Sequence, residues 1–252
     1  MVNKLKSAAL VCAGVLLISS AAGASDIQYR LAAIYSPHTT HIHAPGYLSW
    51  ANQLPKDHHN GGQDYWGFLG EANLGKGSLN IDYLTGTSRS VKGGLDEAVN
   101  SPTFNPLTSE QSETMTLYAG YTVLDNPLIG KVDATLGYFR MWAQPSISPA
   151  NWYDGIEYGV KGRREWKGGY AFTYRLGYLP VVAAHGYVSD AGLMSGDNIW
   201  NFRAGGEAPV YKALSVIGGY ESTRAENKVL VGGGSRAVVG FSGFYFGALY
   251  AF

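Results

Sequence analysis

The sequence predicts an all-β protein, a transmembrane antiparallel up-and-down β-barrel of ten strands, with eight and twelve as the neighbouring even counts. Three observations predict it. Apolar and polar residues alternate through segments of roughly ten residues along most of the chain. Charges inside those segments share one parity, and the connectors between them alternate short and long. Composition agrees. The 252 residues include 34 glycines and 18 tyrosines, with only 15% charged, a mixture suited to many short strands rather than to helices.

The first segment is not expected to join the barrel. Lys4 and Lys6 precede an apolar run from Ala8 to Ile18, and Ala22-Gly23-Ala24 offers the small-residue pattern that a signal peptidase cleaves after. That run is too short to span a bilayer as a helix. Residues 1–24 are therefore expected to be a cleaved secretory signal, and 25–252 a single barrel domain. Cys12, the only cysteine, lies in this leader, and the apolar run continues past it, which argues against a lipid anchor there. The exported chain should then hold no disulfide. Lys+Arg and Asp+Glu both number 19, so losing Lys4 and Lys6 leaves a net charge of −2 and no basic footprint for nucleic acid.

The expected strands follow in order. Strand 28–36 sets Tyr29, Leu31, Ala33 and Tyr35 against Arg30; 64–74 sets Phe68, Ala72 and Leu74 against Glu71; 78–87 sets Leu79, Ile81 and Tyr83 against Asp82. Strand 113–123 carries Met115, Leu117, Ala119 and Tyr121 on its apolar face. Strand 131–142 opposes Ala134, Leu136 and Tyr138 to Asp133, and 153–162 opposes Ile156, Tyr158 and Val160 to Glu157 and Lys161. Strand 168–179 pairs Tyr170, Phe172, Tyr174 and Leu176 with Arg175, and 198–208 pairs Trp200, Phe202 and Ala204 with Arg203 and Glu207. Strand 213–223 sets Leu214, Val216 and Tyr220 against Glu221. The last strand, 236–252, is uncharged from Ala237 onward, but it is short of the roughly 20 residues of a spanning helix and carries Gly240, Gly243 and Gly247.

A charge facing lipid at mid-depth costs about 2–4 kcal/mol for Lys or Arg, so the charged face should turn inward and the apolar face outward. A soluble sandwich or a lipocalin-like barrel would reverse this. The exceptions, Arg140 and Asp154, fall near strand ends. Short connectors at 75–77, 124–130, 163–167 and 209–212 should be periplasmic turns. Long ones at 37–63, 88–112, 143–152, 180–197 and 224–235 should be outside loops. Trp50, Trp66, Trp142, Trp152 and Trp200 sit at or beyond the outer strand ends, where an aromatic girdle belongs.

The chain ends with Phe244, Phe246, Ala248, Tyr250 and Phe252 at alternate positions. That ending resembles the C-terminal signature of outer-membrane β-barrel proteins of Gram-negative bacteria. The resemblance implies residence in the cell outer membrane, among its lipid and lipopolysaccharide. It also implies handling by periplasmic chaperones and by barrel-assembly machinery that engages Phe246, Tyr250 and Phe252.

Candidate chemistry lies in two places. Arg30, Glu71, Asp82, Asp133, Glu157, Lys161, Arg175, Arg203, Glu207 and Glu221 should face a narrow lumen, either pairing as a polar plug or lining a path for small solutes. His38, His41, His43, His58 and His59 crowd the first long loop, with His185 in the fourth, and could hold a divalent metal; no other cofactor is expected.

Omptin proteases resemble the chain in strand number. Asp57-His58, and His185 with Asp190, are the nearest counterparts of their Asp-His pair, and neither matches the strand-borne pattern. The His-x-Ser arrangement of lipid-acting barrels and the G-x-S-x-G motif are missing, so no catalytic residue is assigned. Loop-mediated recognition, as in opacity-type adhesins with an unknown extracellular ligand, or a structural role leads the functional expectations. A narrow porin-like channel is next, and an outer-membrane hydrolase last.

Overall fold

The computed structural model describes residues 27–43, 58–88, 109–145, 151–186, 194–229 and 236–252. Eleven strand elements run β1 (Ile27–His43), β2 (His58–Leu74), β3 (Gly77–Ser88), β4 (Ser109–Asn126), β5 (Gly130–Pro145) and β6 (Asn151–Glu165). They continue as β7 (Ala171–Leu179), β8 (Ala183–Gly186), β9 (Met194–Tyr211), β10 (Leu214–Val229) and β11 (Arg236–Ala251). Each pairs antiparallel with its neighbour, and β1 pairs with β11 from Arg30↔Ala251 to His43↔Val238, which closes the sheet. Closure removes the exposed edges that an open sheet would present.

The described residues hold eleven strand elements, but the wall has ten staves. β7 and β8 both pair with β6 and form one stave broken at residues 180–182. Pro180 stands at the break and has no N–H to give a ladder. The lower part of this stave bonds on its other side to β9, from Ala171↔Glu207 to Leu179↔Ile199.

Turns at one end are tight, and each has a local cause. β2 and β3 join through two residues, with Gly75 at φ +68°, in the left-handed region that a hairpin turn needs. Between β4 and β5 the Asn126 side chain accepts from the Leu128 amide at 2.8 Å, and Gly130 takes φ +91°. Between β6 and β7 the Trp166 amide donates to the Tyr170 carbonyl at 2.9 Å.

The other end differs from the expected strand limits. Strands continue past the apolar alternation: β1 reaches His43 rather than 36, β2 begins at His58, β4 at Ser109, and β10 runs to Val229. Within the expected loop 37–63, residues 37–43 and 58–63 are strand, so His38, His41, His43, His58 and His59 lie on strands, as does His185 on β8. The physical reason is that wall standing above the lipid needs ladder bonds but no apolar exterior, so the sequence signal fades before the strand ends.

Along the mid-barrel, outward positions are apolar and exposed. Leu117 keeps 54% of its surface and Phe246 58%, with Leu79, Leu136, Ile156, Phe172, Phe202 and Val216 alongside. A continuous apolar belt of this kind suits hydrocarbon, not water. The Tyr35 ring lies tilted against Trp66 at 4.6 Å, and Tyr178 against Trp200 at 4.3 Å, where the belt meets the longer end of the wall.

The seam between first and last strands is open to a direct check. Ala33 and Ala248 are register partners, both facing outward, and the barrel strands contain no native thiol. The A33C/A248C pair should crosslink on mild oxidation and give a barrel that resists heat unfolding in detergent. Single variants that react with thiol reagents while the pair fails to crosslink would contradict the register.

Candidate functional site

The lumen charges form two groups stacked along the barrel axis. Near the turn end, Arg30 of β1 binds Glu71 of β2 at 3.4 Å and also Glu207 of β9. Lys161 of β6 reaches across to Glu71 at 2.5 Å and to the Asn80 side-chain carbonyl at 2.7 Å. Arg163 binds Glu207 and Glu165, each at 2.6 Å. Asp133 lies 4.0 Å from Lys131 beside this group.

Higher in the barrel, Arg175 of β7 binds Glu157 of β6 and Asp82 of β3, the latter at 3.1 Å. Arg203 of β9 joins Asp82 at 2.8 Å to Glu221 of β10 at 2.9 Å. Asn201 donates to Glu157 at 2.6 Å, and Thr223 donates to Asn201 at 2.9 Å. Arg175 lies over the Tyr118 ring at 4.3 Å, and Arg203 near Tyr245 at 5.8 Å. Glu157 is 1% exposed, and the backbone is shaped for it: a methyl group at Gly177 would collide with its carboxylate.

These contacts follow from the wall. Lipid on the outside forces polar side chains inward, and a ten-stave barrel is too narrow for them to be fully hydrated. Buried ions need partners of opposite charge and good hydrogen-bond geometry. Glu71, Asp82, Glu207 and Glu221 each meet two or more cationic side chains or a cation and His38.

Above the upper group lies an apolar lid. Phe139 and Met141 of β5, Leu179, Val182, Ile199, Ala225 and Phe241 pack together, with Tyr153 against them. All point into the lumen, and Leu179 and Ile199 are fully buried. A second apolar cluster of Ala32, Ile34, Tyr65, Leu84, Tyr245 and Leu249 fills the side of the lumen formed by β1, β2, β3 and β11.

His38 is a lumen residue rather than a loop residue. Its Nε2 lies 2.9 Å from Glu221 Oε1 and 2.8 Å from Ser36 Oγ, and its ring stands between Tyr65 and Phe241 at 4.6 and 5.3 Å. It is therefore committed inside the barrel, apart from any surface metal set. The backbone register sets His41 opposite His59. The side chains of His41, His43, His58, His59 and His185 lie outside the described residues, as do Asp57 and Asp190.

Ser36, His38 and Glu221 are a serine, a histidine and an acid in contact, yet they do not form a nucleophilic relay. A relay places the acid on one ring nitrogen and the hydroxyl on the other. Here both partners share Nε2, and the Ser36 hydroxyl also donates to the Phe244 carbonyl at 3.2 Å.

Sequence reasoning placed His38 in a loop metal set rather than in the lumen, and it missed Arg163, Tyr118, Tyr245, Asn80 and Asn201. Parity held the missing signal. His38 shares the even parity of Arg30 and Ser36, and Arg163 shares the odd parity of Glu157 and Lys161. Outward, Tyr138 donates to Asp154 at the rim, and the Tyr250 and Phe252 rings lie tilted against each other at 5.5 Å beside the seam. The Phe252 amide and carbonyl both bond to Tyr29, at 3.0 and 2.9 Å.

No family model and no curated protein matches the chain. Among solved structures it is similar to the outer membrane protease OmpT from Escherichia coli, at 12% identity over 90% of this chain and 97% of that one, with a TM-score of 0.47. It is also similar to a major outer membrane protein from Thermus thermophilus, at 12% identity over 90% and 100%, with a TM-score of 0.30. The transport unit of the autotransporter AIDA-I from Escherichia coli matches at 11% identity over 91% of each chain, with a TM-score of 0.30. These neighbours are bacterial outer-membrane β-barrel proteins, but likeness at this level transfers no activity to this chain.

Arg203→Leu removes the cation shared by Asp82 and Glu221 and should destabilise the barrel by about 3–5 kcal/mol, the range for breaking a buried pair. Urea unfolding from liposomes measures it, with Arg203→Lys expected to recover part of the loss. A loss below about 1 kcal/mol, as for a surface pair, would contradict the lumen assignment.

Proposed function

We infer that the protein is an integral outer-membrane barrel that crosses the bilayer as a closed wall and acts through what it raises outside, in surface recognition or adhesion or as a structural element. One observation carries this reading: the lumen is crossed by paired charges and capped by an apolar lid, while the wall continues well past the belt. Strands of 17 residues in β1 and β2 and 18 in β4 and β9 exceed the roughly 9–11 that cross a bilayer. The surplus lies at the end that carries the long connectors, so the extra ladder holds loops away from the membrane.

On this reading the belt is solvated by outer-membrane lipid and lipopolysaccharide. The Phe246, Tyr250 and Phe252 face of the closing strand is the part offered to assembly machinery after chaperones deliver the chain. The unknown extracellular ligand meets the rim and the segments between strands. The hydrolase reading receives no support from the Ser36–His38–Glu221 contact, whose geometry is wrong and whose place is beneath the lid.

Two measurements test the proposal together. The purified barrel in planar bilayers should show no porin-sized conductance. A protease site inserted within 89–108 should be cut on intact cells, and one at 127–129 should not. Open steps of porin size, or surface cleavage at 127–129, would overturn the closed wall or its orientation.

A further inference from the structure

The two halves of the lumen are not alike. At the turn end a cavity of about 290 Å³ opens between Gln28, Arg30, Glu71, Lys131 and Arg163. A second cavity, of about 100 Å³, lies above it, and Arg30, Glu71 and Lys161 line both. A third, of about 30 Å³, follows, and Asp82, Arg175 and Arg203 line both it and the second. Each shares lining residues with the next, so the three follow one another from the turn-side mouth to Glu221 and Thr116.

Each of these spaces is large enough for water, since a polar cavity of about one probe sphere holds a molecule. Their walls also ask for it. Asp133 Oδ1 and Arg175 Nε are buried with no hydrogen-bond partner among the described residues, and both residues line the series. Buried polar atoms without protein partners are satisfied by ordered water.

The series stops at apolar side chains. Leu84, Phe139 and Phe241 line the roof of the third cavity, and Phe139 and Phe241 belong to the lid. A hydrophobic constriction of this kind closes by excluding water rather than by filling every gap.

We propose that the lumen is a half-channel: water and small monovalent ions enter from the turn end as far as Asp82, Arg203 and Glu221, and the apolar lid alone separates them from the outside. This rests on the closed-wall reading above and adds a sidedness to it. Ion pairs then serve as a hydrated, charge-balanced filling, and the lid serves as the seal.

Silver ion, a small thiophilic cation, is the probe. Thr173 lines the second cavity and Thr116 the third, neither belongs to an ion pair, and the barrel strands have no native thiol. T173C and T116C barrels are placed in sealed liposomes and sorted by whether added protease cuts the 89–108 segment. Silver added on the turn side should block both thiols against later labelling, and silver on the loop side should block neither. In the background of F139A/F241A, loop-side silver should block both.

Blocking from the loop side in the parent would overturn the proposal, as would protection from both sides. A double variant that inserts and shows heat-modifiable migration, yet still excludes loop-side silver, would show that the lid is not the barrier and would also overturn it. If the double variant fails to insert, the two-sided comparison in the parent decides alone. Failure of turn-side silver without conductance sinks the half-channel and leaves the closed wall standing, whereas porin-sized conductance sinks both.

Discussion

The structure depends on pairing of charge inside a wall that must be apolar outside. Asp82 lies between Arg175 and Arg203, Arg175 continues to Glu157, and Arg203 continues to Glu221. These five side chains come from β3, β6, β7, β9 and β10, so the pairs bridge the lumen as well as neighbouring strands. Lys161 of β6 on Glu71 of β2, and Arg30 of β1 on Glu207 of β9, do the same lower down. Such pairs form only when the sheet has closed, and once formed they hold distant staves in register. The desolvation cost of each ion is large, so a filled network is tolerated where a half-filled one would not be.

The remaining features follow from this constraint. Because the ions must meet, the interior places small residues where the carboxylates need room, as Gly177 does for Glu157. Because hydrated ions cannot face the outside unguarded, the lumen ends in the Phe139–Leu179–Ile199–Phe241 cluster. Because lipid takes the exterior, the large side chains that a soluble protein would bury are exposed here, Trp66 at 62% among them.

Much of this is legible in the sequence, for one reason: the lipid-crossing part of each strand is read twice, once by hydrocarbon and once by the lumen. That double reading fixes alternation and segregates charge, so strand existence, order and the inward parity of Arg30, Glu71 and Arg203 are visible without coordinates. Where only one reading applies, the signal goes. The upper reaches of β1 and β2 need ladder bonds alone, so His38 to His43 read as loop. Arg163 reads as turn because its strand ends two residues later at Glu165. The contact between His38 and Glu221, 183 residues apart in sequence, depends on closure of the β1–β11 seam, which no local pattern encodes. The break between β7 and β8 is marked only by Pro180, and a proline is equally at home in a loop.

The lumen ions of the upper group, Glu157, Arg175, Asp82, Arg203 and Glu221, act as one buried network. A double-mutant cycle on Arg175 and Glu157, using Arg175→Met and Glu157→Gln with unfolding free energies measured from liposomes, tests it most directly. The account predicts coupling of about 2–3 kcal/mol between the two sites, the upper part of the range for residues in one ion-pair network. Effects that add to within about 0.5 kcal/mol would contradict it, because independence is the behaviour of sites that share no partner.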